Sequence, residues 1–233
     1  MLGLLLAAPP ARAETPVDLE LVLAVDASGS VDDGEYALQL GGIAAAFRDP
    51  AVVEAARSGP LRRVAVMLAI WAEANRPKAA SAWYMIDGED SAAAFAAMAD
   101  AFPRRIPAGG TGIGKAVMFA LHALQQNAYV AGRRTIDISG DGRETAFREF
   151  SVPISQARHA ASANRVTING LAILAEEADL ADYYAANVIS GPEAFVMTAT
   201  DFADFAAAMR RKLLRELEYR PNVAARGAEP AGE

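Results

Sequence analysis

The chain has 233 residues, 53% of them hydrophobic and 22% charged, with no cysteine. That is enough chain for one large globular domain, too apolar to stay disordered, and it excludes a disulfide scaffold. Lys+Arg 22 against Asp+Glu 29 leaves a net charge of -7, which argues against nonspecific binding to nucleic acid or to an anionic membrane, since both need a basic face. With no thiolate and only 2 histidines, a metal site must be built from oxygen, the donor that suits Mg²⁺, Ca²⁺ or Mn²⁺.

Met1 to Ala13 form a short apolar stretch that closes on Ala11-Arg12-Ala13, the small-x-small pattern of signal-peptidase cleavage. The expected organisation is a signal peptide over 1–13, one domain over 14–220 and a tail over 221–233. The protein is therefore expected to be exported, periplasmic or secreted. The run from Leu2 to Ala8 is too short to cross a bilayer, and no later segment offers about 20 uninterrupted apolar residues, so no membrane span is expected. Pro221 to Glu233 has one isolated Val and no periodicity, the composition of a disordered tail.

Residues 19–25 (Leu-Glu-Leu-Val-Leu-Ala-Val) are nearly all apolar, as in a parallel strand covered on both faces. Tyr36, Leu40, Ile43 and Phe47 then recur at helical spacing and make a stripe that packs onto a sheet. Residues 63–71 read as a second buried strand. Residues 81–86 follow after a loop too short for a parallel crossover, which predicts a hairpin-linked antiparallel edge strand. A helix through Phe95, Met98 and Phe102 stops at Pro103. The Gly-rich loop 108–112 opens a helix carrying Ile113, Val117, Leu121 and Leu124 on one side. Strand 135–139, helix 150–161, strand 166–173, helix 180–188 and strand 194–198 follow. A closing helix carries Phe202, Phe205, Met209 and Leu213. Strands joined by crossover helices predict an α/β fold: a doubly wound, mostly parallel six-stranded sheet with one antiparallel edge strand and helices on both faces. Ligands in such sheets bind beyond the carboxyl ends of the strands, near the switch in strand order.

Three loops on that rim carry oxygen-bearing side chains. Asp26-Ala27-Ser28-Gly29-Ser30 follows the first strand, Gly109-Gly110-Thr111-Gly112 precedes a helix, and Ser139-Gly140-Asp141-Gly142 follows the fourth strand. Asp26, Ser28, Ser30, Thr111 and Asp141 together offer two anionic and three neutral oxygens, a set that suits Mg²⁺ or Mn²⁺ with water or ligand in the remaining positions. Two carboxylates only neutralise a divalent cation, so a further carboxylate from outside meets an electrophilic metal, where a cage of four would repel it.

In order and in fold position, these three elements resemble the metal-ion-dependent adhesion site of von Willebrand factor A domains. The resemblance covers about Asp18 to Leu217, and is closest to single-domain exported bacterial members without an assigned activity. It implies that Asp26, Ser28, Ser30, Thr111 and Asp141 hold a divalent cation, Mg²⁺ first and Mn²⁺ or Ca²⁺ as alternatives. It also implies that a Glu or Asp of a partner protein completes the shell, in a non-enzymatic interaction domain. The alternatives are a Mg²⁺-dependent hydrolase of phosphate esters, which needs a further carboxylate or base beside the metal, and a domain whose metal is mainly structural.

Competing motifs fail on particular residues. Gly109 to Ala116 nearly match a phosphate-binding loop, but Ala116 replaces the hydroxyl that holds Mg²⁺ and no buried strand precedes the loop; Lys115 is then a helix-face residue near the site or merely solvated. Asp26 to Ala37 fail as a calcium loop, with Val31 where Gly is needed and Ala37 where Glu is needed. Asp32, Asp33 and Glu35 read instead as charges at a helix N-terminus. No Gly-x-Ser-x-Gly elbow surrounds a serine, and His122 and His159 fall within helices, with a structural role expected for His122. Asp137, inside a buried strand, must be paired or hydrogen-bonded. It is either an acceptor orienting a ligand hydroxyl, a role Ser139 could share, or the partner of Arg133, Arg134 or Arg165. Trp71 and Trp83 are expected to pack in the core or at an edge.

Overall fold

The structure is a computed structural model that describes residues 14–219 except 108, 147 and 148. The expected signal peptide (1–13) and tail (221–233) lie outside the described residues. In chain order the elements are β1 (Thr15–Val17), β2 (Glu20–Asp26), α1 (Asp33–Arg48), α2 (Pro50–Ala56), β3 (Val64–Trp71), β4 (Ala79–Ala80), β5 (Tyr84–Ile86), α3 (Glu89–Asp100) and α4 (Ile113–Gln125). There follow β6 (Tyr129–Ala131), β7 (Arg134–Gly140), α5 (Ile154–Ala163), β8 (Thr167–Ile173), α6 (Leu180–Asn187), β9 (Val196–Ala199) and α7 (Phe205–Leu217).

Every residue of β2 and β3 is buried, because helices cover both faces of the sheet. Alternation sorts the side chains of β2: Leu21, Leu23 and Val25 join the layer with α1, α3 and α7, while Val22 and Ala24 join the layer with α4, α5 and α6. The strand order is β4-β3-β2-β7-β8-β9, with β5 also on β3. β2, β3, β7, β8 and β9 are mutually parallel, so the chain winds one way from β2 to β3 and then returns to lay β7 on the other side. The fold is thus the expected doubly wound α/β sheet, and its switch point falls between β2 and β7.

The edge differs in detail from the single antiparallel strand expected over 81–86. Two short antiparallel pieces, β4 and β5, pair with β3, giving seven strands in place of six. Ser81 divides them: its backbone N–H donates to Leu68 O at 2.9 Å and its hydroxyl accepts from Leu68 N at 3.0 Å. A side-chain oxygen thus replaces a ladder carbonyl and ends regular pairing. A small second sheet, β1 paired parallel to β6, and the short helix α2 were not anticipated. Pro50 at the first position of α2 and the Asp49 cap, whose carboxylate accepts from Ala51 N at 2.8 Å, mark that helix start.

Asp32 and Glu35 form a capping box at the start of α1, each carboxylate accepting the other's backbone N–H at 2.8 Å. This matches their reading as helix N-terminal charges and fixes where the loop after β2 must end.

Candidate functional site

Asp26 ends β2, and Asp141 follows Gly140 at the end of β7. Because these strands are neighbours in register, Val25 beside Ser139, both carboxylates emerge at the switch point on one rim. The loop after β2 turns tightly: Asp26 Oδ1 accepts from Ser28 N at 2.7 Å. Ser28 Oγ lies 3.2 Å from Ser30 Oγ, and Ser30 Oγ donates to Asp141 Oδ1 at 2.9 Å. Four of the five sequence-derived residues therefore form one hydrogen-bonded chain. Thr111 enters from the loop before α4, its Oγ1 3.7 Å from where a Cβ on Gly142 would lie. Thr145 holds it there, accepting from Thr111 N at 2.8 Å and donating its own N–H to Thr111 O at 2.9 Å.

The loops meet through glycine. Gly29 N donates to Gly109 O at 2.7 Å, and a Cβ on Gly112 would stand 2.6 Å from Ala74 N, a distance no side chain can adopt. A Cβ on Gly140 would likewise reach 2.8 Å from Asp26 Oδ2 and 2.9 Å from the Tyr184 hydroxyl.

Asp26, Ser28, Thr111 and Asp141 are buried, whereas Ser30 is exposed at the mouth. Asp26 Oδ2, Asp141 Oδ2 and the Tyr184 hydroxyl are enclosed without a hydrogen-bond partner among the described residues. Burial, and then the charge of Asp141, push the Asp26 carboxyl up to about 8. Burial also raises Asp141, with Glu176 and Glu35 adding to it, and Tyr184 is raised by burial and by both carboxylates. Enclosed carboxylate oxygens carry a desolvation cost that an opposite charge would offset. The donor set, all oxygen and with two carboxylates, fits a hard divalent cation at this point.

Further residues act on the site without having been visible in its motifs. Arg104, in the Pro-bounded segment before the Gly-rich loop, donates to Val31 O at 2.6 Å and to Ala27 O and Ser28 O at 3.3 Å, and it pairs with Asp33 at 2.8 Å. It thereby ties the loop after β2 to α1. Tyr184 comes from α6, and its identity gives no hint that its hydroxyl ends beside Asp26. Arg143 pairs with Glu177 and Asp179 at 2.6 Å each and fixes the acidic loop beyond β8 beside Gly142.

Ser139 is buried and its hydroxyl donates to Ala24 O at 3.5 Å, inside the sheet. Among the described residues Asp137 forms no ion pair with Arg133, Arg134 or Arg165. Its partner is Lys212 of α7, Nζ to Oδ2 at 2.7 Å, and Lys212 also pairs with Glu216 at 2.5 Å. The correction follows from packing: α7 lies over β8 and β9, and Lys212, buried within the apolar stripe of that helix, extends its butyl stem so that the ammonium reaches Asp137 on β7. Trp71 is core, 1% exposed, and Trp83 packs at the edge on Tyr129. His122 and His159 are both exposed on their helices, so His122 has no core role.

A family model described as Protein of unknown function (DUF1194) matches residues 16–221. The chain belongs to the DUF1194 family. No curated protein matches the sequence. Among solved structures, this DUF1194 member is similar to proximal thread matrix protein 1 of the mussel byssus, with 15% identity and a TM-score of 0.56 over 86% of this chain and 46% of that one. Another crystal structure of that mussel protein has a zinc-occupied MIDAS motif. The von Willebrand factor domain of a type V pili tip protein of Porphyromonas gingivalis matches at 10% identity and a TM-score of 0.56, covering 89% of this chain and 99% of that one. The pilus adhesin SpaC of Lactobacillus rhamnosus GG matches at 11% and 0.58, covering 86% and 30%. The chain thus spans about half of the mussel protein and under a third of the adhesin. At such identities the likeness concerns the fold, which is that of von Willebrand factor A-like domains. No helix among the described residues is long and apolar enough to cross a membrane.

Proposed function

We propose that this DUF1194 domain is a non-enzymatic interaction domain that binds a divalent cation through Asp26, Ser28, Ser30, Thr111 and Asp141 and captures an acidic side chain of a protein partner. The observation that carries the reading is the pair of enclosed, unpartnered carboxylate oxygens, Asp26 Oδ2 and Asp141 Oδ2, beside three hydroxyl residues. Mg²⁺ suits these donors best, with Mn²⁺ and Ca²⁺ as alternatives, and the zinc-occupied motif of the mussel protein supports a divalent ion in this fold position. A cation bound there supplies a Lewis-acidic centre for an incoming carboxylate. The chain's own part is to hold the two carboxylates at the switch point, to fix Ser28 and Ser30 through the tight turn, and to keep Thr111 in place through Thr145. Adhesion and pilus proteins among the structural neighbours support protein capture, and the Ala11-Arg12-Ala13 site supports export.

Calorimetric titration of Mg²⁺ into EDTA-stripped protein tests the site. Binding is expected for the wild type and lost in Asp26→Ala and Asp141→Ala; the same heat in all three would overturn it. Pull-down from the exported fraction tests the partner: it should elute with chelator. A mainly structural cation is favoured by the same buried, mutually repelling carboxylates. That version predicts a drop in melting temperature on chelation with no chelator-sensitive partner.

A further inference from the structure

The rim is electrically lopsided. Glu35 and Glu176 act on the Asp141 side, and Glu177 stands by Gly142. On the opposite side, behind the Thr111-Gly112 turn, a pocket of about 320 Å³ is lined by Ala74, Arg76, Lys78, Lys115, Met118 and Phe119. It shares a wall with the candidate metal site, since Gly112 packs directly on Ala74 and Lys115 lies in the first turn of α4, which that glycine opens.

Three cations gather here in a chain of net charge -7, over a floor made by half-buried Met118 and Phe119. Lys78 is fixed: its ammonium donates to Glu73 O at 2.7 Å and Arg76 O at 2.9 Å. Burial, with Lys115 adding to it, pushes Lys78 down to about 8. Among the described residues Arg76 pairs only with Glu73, at 3.6 Å, and it is half exposed. Lys115 makes no hydrogen bond or ion pair among the described residues. The helix N-terminus itself is already satisfied, with Gly114 N donating to a Glu144 carboxylate oxygen at 2.9 Å. Two carboxylates, Glu144 and Glu73, offset part of the effect of Lys115 on Lys78. Glu144 is engaged by Gly114 N and Glu73 faces Arg76, so three cations stand against two anions, and the pocket has room for a further carboxylate and for an apolar group that covers Met118 and Phe119.

We infer that this pocket is a second contact for the same partner and takes an acidic segment with an apolar side chain next to its carboxylate. This rests on the proposed capture of an acidic residue at the rim and specifies the partner further: a single carboxylate suffices for the metal, whereas the pocket selects a stretch of at least two acidic residues around an apolar one. Complementary charge on the approach side also offsets the unfavourable field of an acidic protein meeting an acidic partner.

The test uses a fluorescein-labelled peptide, Glu-Leu-Glu-Glu-Leu-Glu, titrated with the full chain in Mg²⁺ and in EDTA. Lys115→Glu at a half-buried position and Arg76→Glu at an exposed one, both checked by melting temperature, are expected to weaken binding about tenfold under either condition and to flatten its salt dependence. Asp26→Ala is expected to remove only the Mg²⁺-dependent part. Binding that Lys115→Glu and Arg76→Glu leave unchanged would overturn the pocket while leaving the metal reading intact. Binding that needs the two cations but ignores Mg²⁺ would support the pocket and sink the metal reading. Displacement of the peptide by micromolar ATP would overturn the acidic-segment assignment in favour of a nucleotide, and no binding at millimolar peptide would overturn it outright.

Discussion

Lys212, with none of its side chain exposed, places its ammonium 2.7 Å from Asp137 and 2.5 Å from Glu216. Asn169 donates to the same Glu216 oxygen at 2.7 Å, so α7 is fastened to β7 and β8 by a buried polar cluster in the middle of its apolar face. Removing the one cation leaves two enclosed carboxylates without compensation. Lys212→Met should cost about 3–5 kcal/mol, measured by urea unfolding. Neutralising all three positions together should recover most of that loss; a Lys212→Met protein as stable as the wild type would refute the account.

The same cluster sets a pH dependence. Burial and Glu216 raise the Asp137 carboxyl by more than Lys212 lowers it. A carboxyl whose folded value lies above its unfolded value, about 3.9, binds more protons in the folded state. Its contribution is therefore full at acid pH and is lost as pH rises through the folded value. Asp137→Asn should flatten this fall by up to about 1.4 kcal/mol per pH unit, read from unfolding free energies across that window. An unchanged slope would show that Asp137 does not titrate there.

Arg104 holds three carbonyl oxygens of the loop after β2 together with Asp33. Arg104→Ala should cost about 1–3 kcal/mol and raise hydrogen exchange over Ala27–Val31. Arg104→Lys should rescue little, because one ammonium cannot replace the guanidinium fork. If the loop holds a cation, Mg²⁺ affinity should fall about tenfold or more in both variants. Unaltered exchange in Arg104→Ala would show that the loop keeps its shape alone.

At Gly140, a Cβ would meet the Asp26 carboxylate and the Tyr184 hydroxyl at once. Gly140→Ala should destabilise by about 1–3 kcal/mol. Tyr184→Phe should return part of the loss, since it removes one of the two obstructing oxygens, and a double-mutant cycle measures the coupling. Strict additivity would show that the tyrosine does not crowd this point.

Mg²⁺ should raise the melting temperature of the wild type and leave Asp26→Asn and Asp141→Asn unmoved. A cation at about 100 times its dissociation constant contributes about 2.7 kcal/mol. In EDTA, Asp141→Asn should be at least as stable as the wild type, because it relieves the repulsion with Asp26. A lower stability would mean that the charge itself supports the loop.

Strand and helix alternation and the rim were readable from the sequence because they rest on local pattern. Seven buried residues ending in an acid place Asp26 at a strand end, and Gly-Asp-Gly places Asp141 at another. Residues brought in by tertiary packing were not. Tyr184 looks like any helix aromatic, and Arg104 sits between prolines with no periodicity to mark it. Lys212 and Glu216 do leave a trace in the sequence: counted from Phe205 and Met209 they fall on the buried stripe of α7, where a buried ion pair calls for further polar partners. The division of the edge at Ser81 depends on a hydroxyl competing with a ladder carbonyl, which alternation cannot show.

Ser30 and Asp141 bond across a sequence separation of 111, and Thr111 enters from a third segment between them. Such a cluster forms only after long loops have closed, so it belongs to the late part of folding. A cation held there would find no partial site in the unfolded chain or in a fragment ending before β7. Its effect should fall on the unfolding rate, with folding hardly accelerated: the ion would act as a latch on a finished domain, keeping β2 and β7 from parting.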